Sequence, residues 1–133
     1  MERITVKTKR KREVVDITDV VAGALSKMGA DTTGVCHLSV LHTTAALTCA
    51  DLDPGTDLDL LDAFEAMVPK LNYRHPHDPS HVPDHILSAL IGADLTLPVE
   101  NGELVLGQWQ RAILLEFDGP REREIAATFI PEK

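Results

Sequence analysis

Residues 95–117 read LTLPVENGELVLGQWQRAILLEF, and this stretch decides the fold class. Short apolar runs at 95–99 and 104–106 flank Asn101-Gly102, a dipeptide that favours a tight hairpin turn. A third run extends from Trp109 to Phe117, and a fourth covers 124–129. The pattern predicts short strands joined by turns at the C-terminal end of the chain.

Upstream of this stretch, strand patterns alternate with helical ones. The predicted strands are 3–8, 13–17, 34–41 and 45–49, and the predicted helices are 18–28, a segment beginning at Thr56, and 83–90. The basic stretch 7–12 (KTKRKR) is expected at the exposed end of the first hairpin. Strands at both ends around about three helices indicate an α+β fold, a single domain over residues 1–133 with a largely antiparallel or mixed sheet.

Composition narrows the class of protein. A chain of 133 residues with 44% hydrophobic residues can bury one proper core. Its net charge of −8 disfavours a general nucleic-acid binder, which needs many Lys and Arg contacts to phosphates. No apolar run is long enough for a signal peptide or a membrane span, so we expect a cytoplasmic protein without membrane contact. Cys36 and Cys49 lie in apolar strand segments and are expected to be buried, reduced thiols.

The six histidines are unevenly distributed. His42 opens the string HTTAALT, and four more lie in HPHDPSHVPDH at residues 75–85. Three imidazoles suffice for a catalytic zinc-type site with an open position, and the ligands need not be close in sequence. His42, His75 and His85 are therefore candidate metal ligands or proton-transfer groups. Of the others, His81 is a possible helper, His77 lies in a proline-punctuated loop, and His37 is expected to be structural.

Familiar catalytic motifs are absent. The chain has no GxSxG elbow, no GxxxxGK[ST] loop and no GxGxxG turn, which removes the usual sequence support for a hydrolase triad, a P-loop NTPase or a Rossmann enzyme. Cys49 has apolar neighbours, an environment that disfavours a reactive thiolate.

The order of the motifs resembles one known family. Six motifs follow one another in an order that resembles the YjbQ-like family of secondary thiamine-phosphate synthases. They are HTTAALT, DLDPGTDLDLLDAF, YRH, HVPDHILSALIG, LPVENGELVLGQWQ and EFDGPRER. The resemblance implies a small α+β fold that forms a homotrimer, with polar pockets near the subunit boundaries. It places the family's site histidines at His42, His75 and His85. In one departure, Ala50-Asp51 stands where many relatives carry Asn-Glu.

The resemblance also implies an activity. It is a metal-assisted transfer between phosphorylated heterocycles that forms thiamine phosphate, with a divalent ion of the Zn or Mg type and a small phosphorylated substrate. Arg121 and Arg123 are the candidate phosphate ligands, Trp109 could stack on a heteroaromatic ring, and Gln110 could bind its edge. Two alternatives to these ligand-binding roles remain. The two arginines could form surface ion pairs with neighbouring glutamates, and Trp109 could belong to the core or to an interface. The alternative function is a non-catalytic trimeric module that binds a metal or an anion.

Overall fold

The fold consists of three helices and eight strands, in a computed structural model that describes residues 1–133. The helices are α1 (Thr18–Lys27), α2 (Thr56–Met67) and α3 (Val82–Ile91). The strands are β1 (Glu2–Lys7), β2 (Glu13–Asp16), β3 (Gly34–Val40), β4 (Ala45–Ala50), β5 (Asp94–Glu100), β6 (Glu103–Leu104), β7 (Arg111–Glu116) and β8 (Glu122–Pro131). None of the helices combines the length and the apolar character that crossing a bilayer requires.

The strands form two sheets in which every pairing is antiparallel. One sheet has the order β1-β8-β3-β5-β6, and the other has the order β2-β7-β4. The predicted α+β class is confirmed, and of the two sheet types expected, the antiparallel one is present. Strands that pair with distant parts of the chain, such as β1 with β8, bring both ends of the sequence into one sheet.

The hairpin predicted at Asn101-Gly102 is present between β5 and β6. Asn101 has φ of 51° and Gly102 has φ of 82°, so both central residues are left-handed, as the favoured two-residue turn requires. A Cβ on Gly102 would lie 2.5 Å from the Ala30 carbonyl oxygen, so glycine is also required by packing. The strand after the turn ends at Leu104, earlier than predicted. The Val105 amide still donates to the Pro98 carbonyl at 2.9 Å, but Pro98 has no amide hydrogen to return the bond.

Strand β7 begins later than the sequence suggests. The predicted start at Trp109 is wrong, because the segment 107–110 is a turn. The Gly107 amide donates to Gln110 Oε1 at 3.0 Å, and the Gln110 amide donates to the Gly107 carbonyl at 3.1 Å. These bonds occupy the backbone groups that a strand would pair with a neighbour, and regular pairing starts at Arg111.

The core explains why β7 is apolar along its length. Ala112 and Leu114 belong to the main cluster, which lies between the two sheets and α1. Ile113 and Leu115 point to the opposite face, where α2 and α3 cover the three-stranded sheet. All four are fully buried, and each large side chain contributes about 1.5–3 kcal/mol on burial. A strand buried on both faces needs a continuous apolar run, which the sequence supplies.

Both cysteines are free thiols, as predicted. Cys36 is fully buried in the main cluster, and burial raises its pKa to about 11. Cys49 is partly buried, and burial raises its pKa as well. Neither thiol has the electropositive, exposed setting of a catalytic nucleophile.

Candidate functional site

A polar pocket opens at the end of the three-stranded sheet where β4 begins and β7 ends. Its volume is about 730 Å³, and it lies between the β3–β4 loop, the first turn of α3 and the start of β8. The lining residues are Leu41, His42, Thr43, Thr44, His81, His85, Asp118, Arg121, Glu122 and Arg123. Three imidazoles and two guanidinium groups therefore line one space, which suits it to a polar, charged ligand.

His42 is oriented by the backbone of β8. Its Nε2 accepts a hydrogen bond from the Glu124 amide at 2.9 Å. A neutral imidazole that accepts at one nitrogen carries its hydrogen on the other, so this bond assigns the hydrogen to Nδ1. Burial, together with the charge of Arg123, lowers the pKa of His42 and favours this neutral form. His42 therefore offers its Nδ1–H as a hydrogen-bond donor.

In His85, Nδ1 and not Nε2 is the ring nitrogen that contacts the backbone. Its Nδ1 lies 3.1 Å from the Thr43 carbonyl oxygen, which can only accept a hydrogen bond. The contact therefore assigns the hydrogen to Nδ1 and leaves the Nε2 lone pair free. The same contact fixes the orientation of the ring.

The first turn of α3, which carries His85, is held in place by a buried carboxylate. Asp84 is 1% exposed and accepts from Lys11 Nζ at 2.9 Å and from Arg12 Nη2 at 3.1 Å. The expectation that residues 7–12 form only an exposed turn is therefore wrong for Lys11 and Arg12. The predicted hairpin is also wrong, because β1 pairs with β8 in one sheet and β2 pairs with β7 in the other. The charged ends of Lys11 and Arg12 connect the β1–β2 loop to the helix. Ser88 Oγ adds a 2.7 Å bond to the Ala45 carbonyl, which ties α3 to β4.

His75 lies beside His85 but does not line the pocket. The two rings stack with centroids 5.2 Å apart and an interplanar angle of 17°. His75 Nδ1 accepts from the Asp78 amide at 3.3 Å, so its hydrogen is on Nε2. His81, to which the sequence assigned only an auxiliary role, does line the pocket. Its Nε2 lies 3.2 Å from Asp78 Oδ2.

The three predicted histidines do not fit a metal site within one chain. No group of three or more His, Cys, Asp or Glu side chains is placed to hold an ion. Backbone amides already occupy the lone pairs on His42 Nε2 and His75 Nδ1. A metal ligand needs a neutral imidazole with a free lone pair, and of the three only His85 has one.

Arg121 lies at the rim of the pocket. Its Nε donates to the Asp118 carbonyl at 2.8 Å, and its Nη2 donates to Asp118 Oδ2 at 3.0 Å. Asp118 also accepts from Lys11 Nζ at 2.8 Å. The side chain is about half exposed, so the guanidinium is both oriented and accessible to a ligand. The predicted ion-pair partner Glu122 is not its partner in the structure.

Arg123 is a buried ion pair and not a surface residue. Its side chain is 2% exposed, and its guanidinium binds both carboxylate oxygens of Glu116, whose side chain is fully buried. Nη2 also donates to Thr44 Oγ1 at 2.8 Å and to the Thr44 carbonyl at 3.2 Å. The alternative of a surface pair with a neighbouring glutamate is therefore wrong. These bonds use Nε and Nη2, which leaves Nη1 without a protein acceptor beside the pocket.

Trp109 and Gln110 lie at the other end of β7. The distance along the sheet from Glu116 to Arg111 is roughly 17 Å, from a rise of about 3.4 Å per residue. Trp109 is 67% exposed, and Gln110 closes its own turn. One chain therefore does not bring these two residues to the histidine pocket.

Sequence reasoning missed the buried partners Glu116, Asp84 and Thr44. A usable signal was present for Glu116, which interrupts the apolar run RAILLEF. Charged residues are almost never fully buried unless they are paired, so a lone acid in such a run indicates a buried cationic partner.

The chain is similar to proteins from archaea and bacteria over most of its length. The family model described as "UPF0047 protein YjbQ-like" matches residues 2–132. A UPF0047 protein of Archaeoglobus fulgidus is 37% identical over 123 residues, which are 92% of this chain and 94% of the relative. UPF0047 protein YugU of Bacillus subtilis is 35% identical, covering 92% and 93%.

Solved structures agree with these sequence matches. A protein of unknown function from Sulfolobus solfataricus superposes with a TM-score of 0.89 at 35% identity, covering 98% of this chain and 96% of that one. A conserved hypothetical protein of Thermus thermophilus gives a TM-score of 0.86 at 37% identity, covering 98% and 100%. With the matched residues spanning almost the whole sequence and the fold shared throughout, this chain belongs to the YjbQ-like UPF0047 family.

Proposed function

We propose that the histidine pocket is the active site of a transferase that joins phosphorylated heterocycles, with thiamine-phosphate synthase activity. The observation that carries this proposal is the combination of three groups in one pocket. Arg121 supplies an accessible guanidinium, His42 an N–H donor, and His85 a free imidazole lone pair. We place this activity in the cytoplasm, where the two free thiols stay reduced.

The proposed reaction forms a C–N bond from a thiazole phosphate to a pyrimidine as the C–O bond to diphosphate breaks. The electron pair of that bond leaves on the diphosphate, so negative charge grows on the departing oxygen. Donors fixed in advance near such an oxygen stabilise the transition state because they need no reorganisation. His42 Nδ1–H and Arg121 are suited to this role, and Arg123 Nη1 adds a further donor from the floor of the pocket.

His85 is suited to a different role. Its Nε2 can accept a hydrogen bond or a proton from the heterocycle, and the stack with His75 and the anchored first turn of α3 keep its ring in place. The divalent ion that the resemblance implies has no complete ligand set in one chain. The proposed chemistry therefore rests on the protein's own groups.

Substitution of Arg121 tests whether the pocket binds the phosphate group of the substrate. We expect Arg121→Ala to raise KM for the thiazole phosphate about tenfold to a hundredfold, because it removes hydrogen bonds to a charged group. Arg121→Lys restores the charge without the planar fork and should recover only part of the loss. The measurement is steady-state formation of thiamine phosphate by wild type and both variants.

Arg3→Ala is the control, because Arg3 pairs with Glu124 on the exposed surface and does not line the pocket. Equal KM values for wild type and Arg121→Ala would contradict the phosphate role. If wild type binds phosphate but forms no product from any substrate pair, the anion-binding module becomes the better description.

We also propose a homotrimer, on the strength of the family resemblance. Large apolar side chains are exposed, among them Trp109, Leu58 and Leu90, and a second copy would cover such surface. Assembly is also the way in which Trp109 could stack on a ligand in the pocket, since within one chain the length of β7, roughly 17 Å from Arg111 to Glu116, separates the two.

Light scattering should return three times the 14.5 kDa chain mass. The value should hold across dilution and salt if the interface is apolar, because screening weakens only charge interactions. A monomer mass under all these conditions would rule out both the trimer and the intersubunit role of Trp109.

A further inference from the structure

A second pocket lies on the other side of Asp84 from the histidines. It is a cleft of about 630 Å³ between the C-terminal end of α2, the loop 68–80 and the first turn of α3. Val68, Leu71, Pro83 and Leu87 form its apolar wall. The volume lies in the range of ligand pockets, which are mostly apolar with a few polar groups that orient the ligand.

The charged residues that line this cleft are Glu65 and Lys70, which are exposed, and Arg12, which is partly buried. Arg12 Nη2 donates to Asp84, and no other hydrogen bond of the guanidinium is made. Nη1 is the one buried side-chain nitrogen or oxygen of the protein that has no partner. Buried polar groups almost always have a partner, so an unpaired one calls for an acceptor that the chain alone does not supply.

The charges around Arg12 favour an anion. The two carboxylates of Asp84 and Asp118 form ion pairs with three cations, which are Lys11, Arg12 and Arg121. The network thus carries one uncompensated positive charge in a protein whose net charge is −8. Asn72 adds a side-chain amide to the cleft wall that makes no hydrogen bond within the protein.

We propose that this cleft binds a small organic carboxylate, with the carboxylate on Arg12 and an apolar body against Val68, Leu71 and Leu87. The partly buried guanidinium and the Asn72 amide match a carboxylate. The exposed Glu65 and Lys70 offset each other in charge, so the cleft has no second uncompensated cation for the additional charge of a phosphate ester. The cleft is separate from the histidine pocket, since no residue lines both. The proposal does not depend on transferase activity.

The test uses 1-naphthoate as the probe, with 1-naphthalenemethanol as the neutral match and acetate as the carboxylate without an apolar body. Titration calorimetry of the full chain should give saturable naphthoate binding with Kd below about 1 mM, and at least about tenfold weaker binding of the other two. Equal affinity for naphthoate and the alcohol, or no saturable naphthoate binding, would overturn the proposal.

Two variants test whether naphthoate binds in this cleft. Arg12→Gln should weaken naphthoate binding about tenfold, whereas Arg10→Gln, in the same β1–β2 loop but outside the cleft, should leave it unchanged. Asn72→Trp fills the cleft from an exposed loop position without touching the Asp84 ion pairs, and should also abolish binding. Thermal unfolding checks that each variant is folded.

The site of binding is decided by one more comparison. If naphthoate affinity is kept in both Arg12→Gln and Asn72→Trp, the cleft is not the site and the proposal fails. The same conclusion follows if affinity is lost only in Arg121→Gln, because the carboxylate then occupies the histidine pocket.

Discussion

Replacing Arg123 with methionine should destabilise the protein by about 3–5 kcal/mol, because the change leaves the buried Glu116 carboxylate without its charge partner. Glu116 keeps hydrogen bonds from Thr8 Oγ1 at 2.7 Å and from the Asp118 amide at 3.2 Å, but neither brings a positive charge. Urea denaturation of wild type and variant measures the difference in the free energy of unfolding.

Arg3→Met is the matched control. Arg3 and Glu124 form the same kind of pair at 2.8 Å, but both side chains are about half exposed. An exposed pair contributes about 0–1 kcal/mol, so this variant should be close to wild type. Adding Glu116→Leu to Arg123→Met should recover part of the lost stability, since an apolar pair can replace a buried ion pair. Similar losses for Arg3→Met and Arg123→Met would contradict a stabilising role for the buried pair.

Replacing His42 with alanine should lower kcat for thiamine-phosphate formation by about 10²–10³, the usual cost of removing one donor that stabilises developing negative charge. This expectation rests on the proposed function. His42→Gln keeps an N–H donor on a side chain of similar reach and should recover part of the rate. Single-turnover kinetics at saturating substrate separates this effect from weaker binding.

His37→Ala is the control for the histidine change. His37 lies on β3, its side chain is 39% exposed, and its contact is with Asp94 at 3.4 Å, outside the pocket. It should therefore leave kcat unchanged. A rate for His42→Ala equal to that of His37→Ala would remove His42 from the chemistry, while the pocket's role in phosphate binding would still be judged by Arg121.

The secondary structure was largely predictable because its signals are local. The Asn101-Gly102 turn and the helical spacing that follows Thr56 each depend on a few adjacent residues, and both are present. The start of β7 was not predictable, since Trp109 has strand propensity but its neighbours close a turn through the Gln110 side chain. Tertiary context overrides propensity at such positions.

The candidate site was only partly predictable. His42 and His85, which the motifs singled out, line one pocket, because each lies next to a strand end or helix start that the pattern already located. Trp109 and Gln110 directly precede β7, so they lie at the end of this strand that is opposite the pocket. Linear order therefore grouped residues that the fold separates.

The sequence by itself determined the α+β class, the family and the candidate imidazoles, because periodicity, turn residues and motif order are written along the chain. Only the tertiary structure decided which charges are buried. Arg121 and Arg123 are two residues apart, yet one is half exposed on Asp118 and the other is enclosed with Glu116. Burial and hydrogen-bond partners depend on segments distant in sequence, and they determine how much of each guanidinium is already bound within the protein.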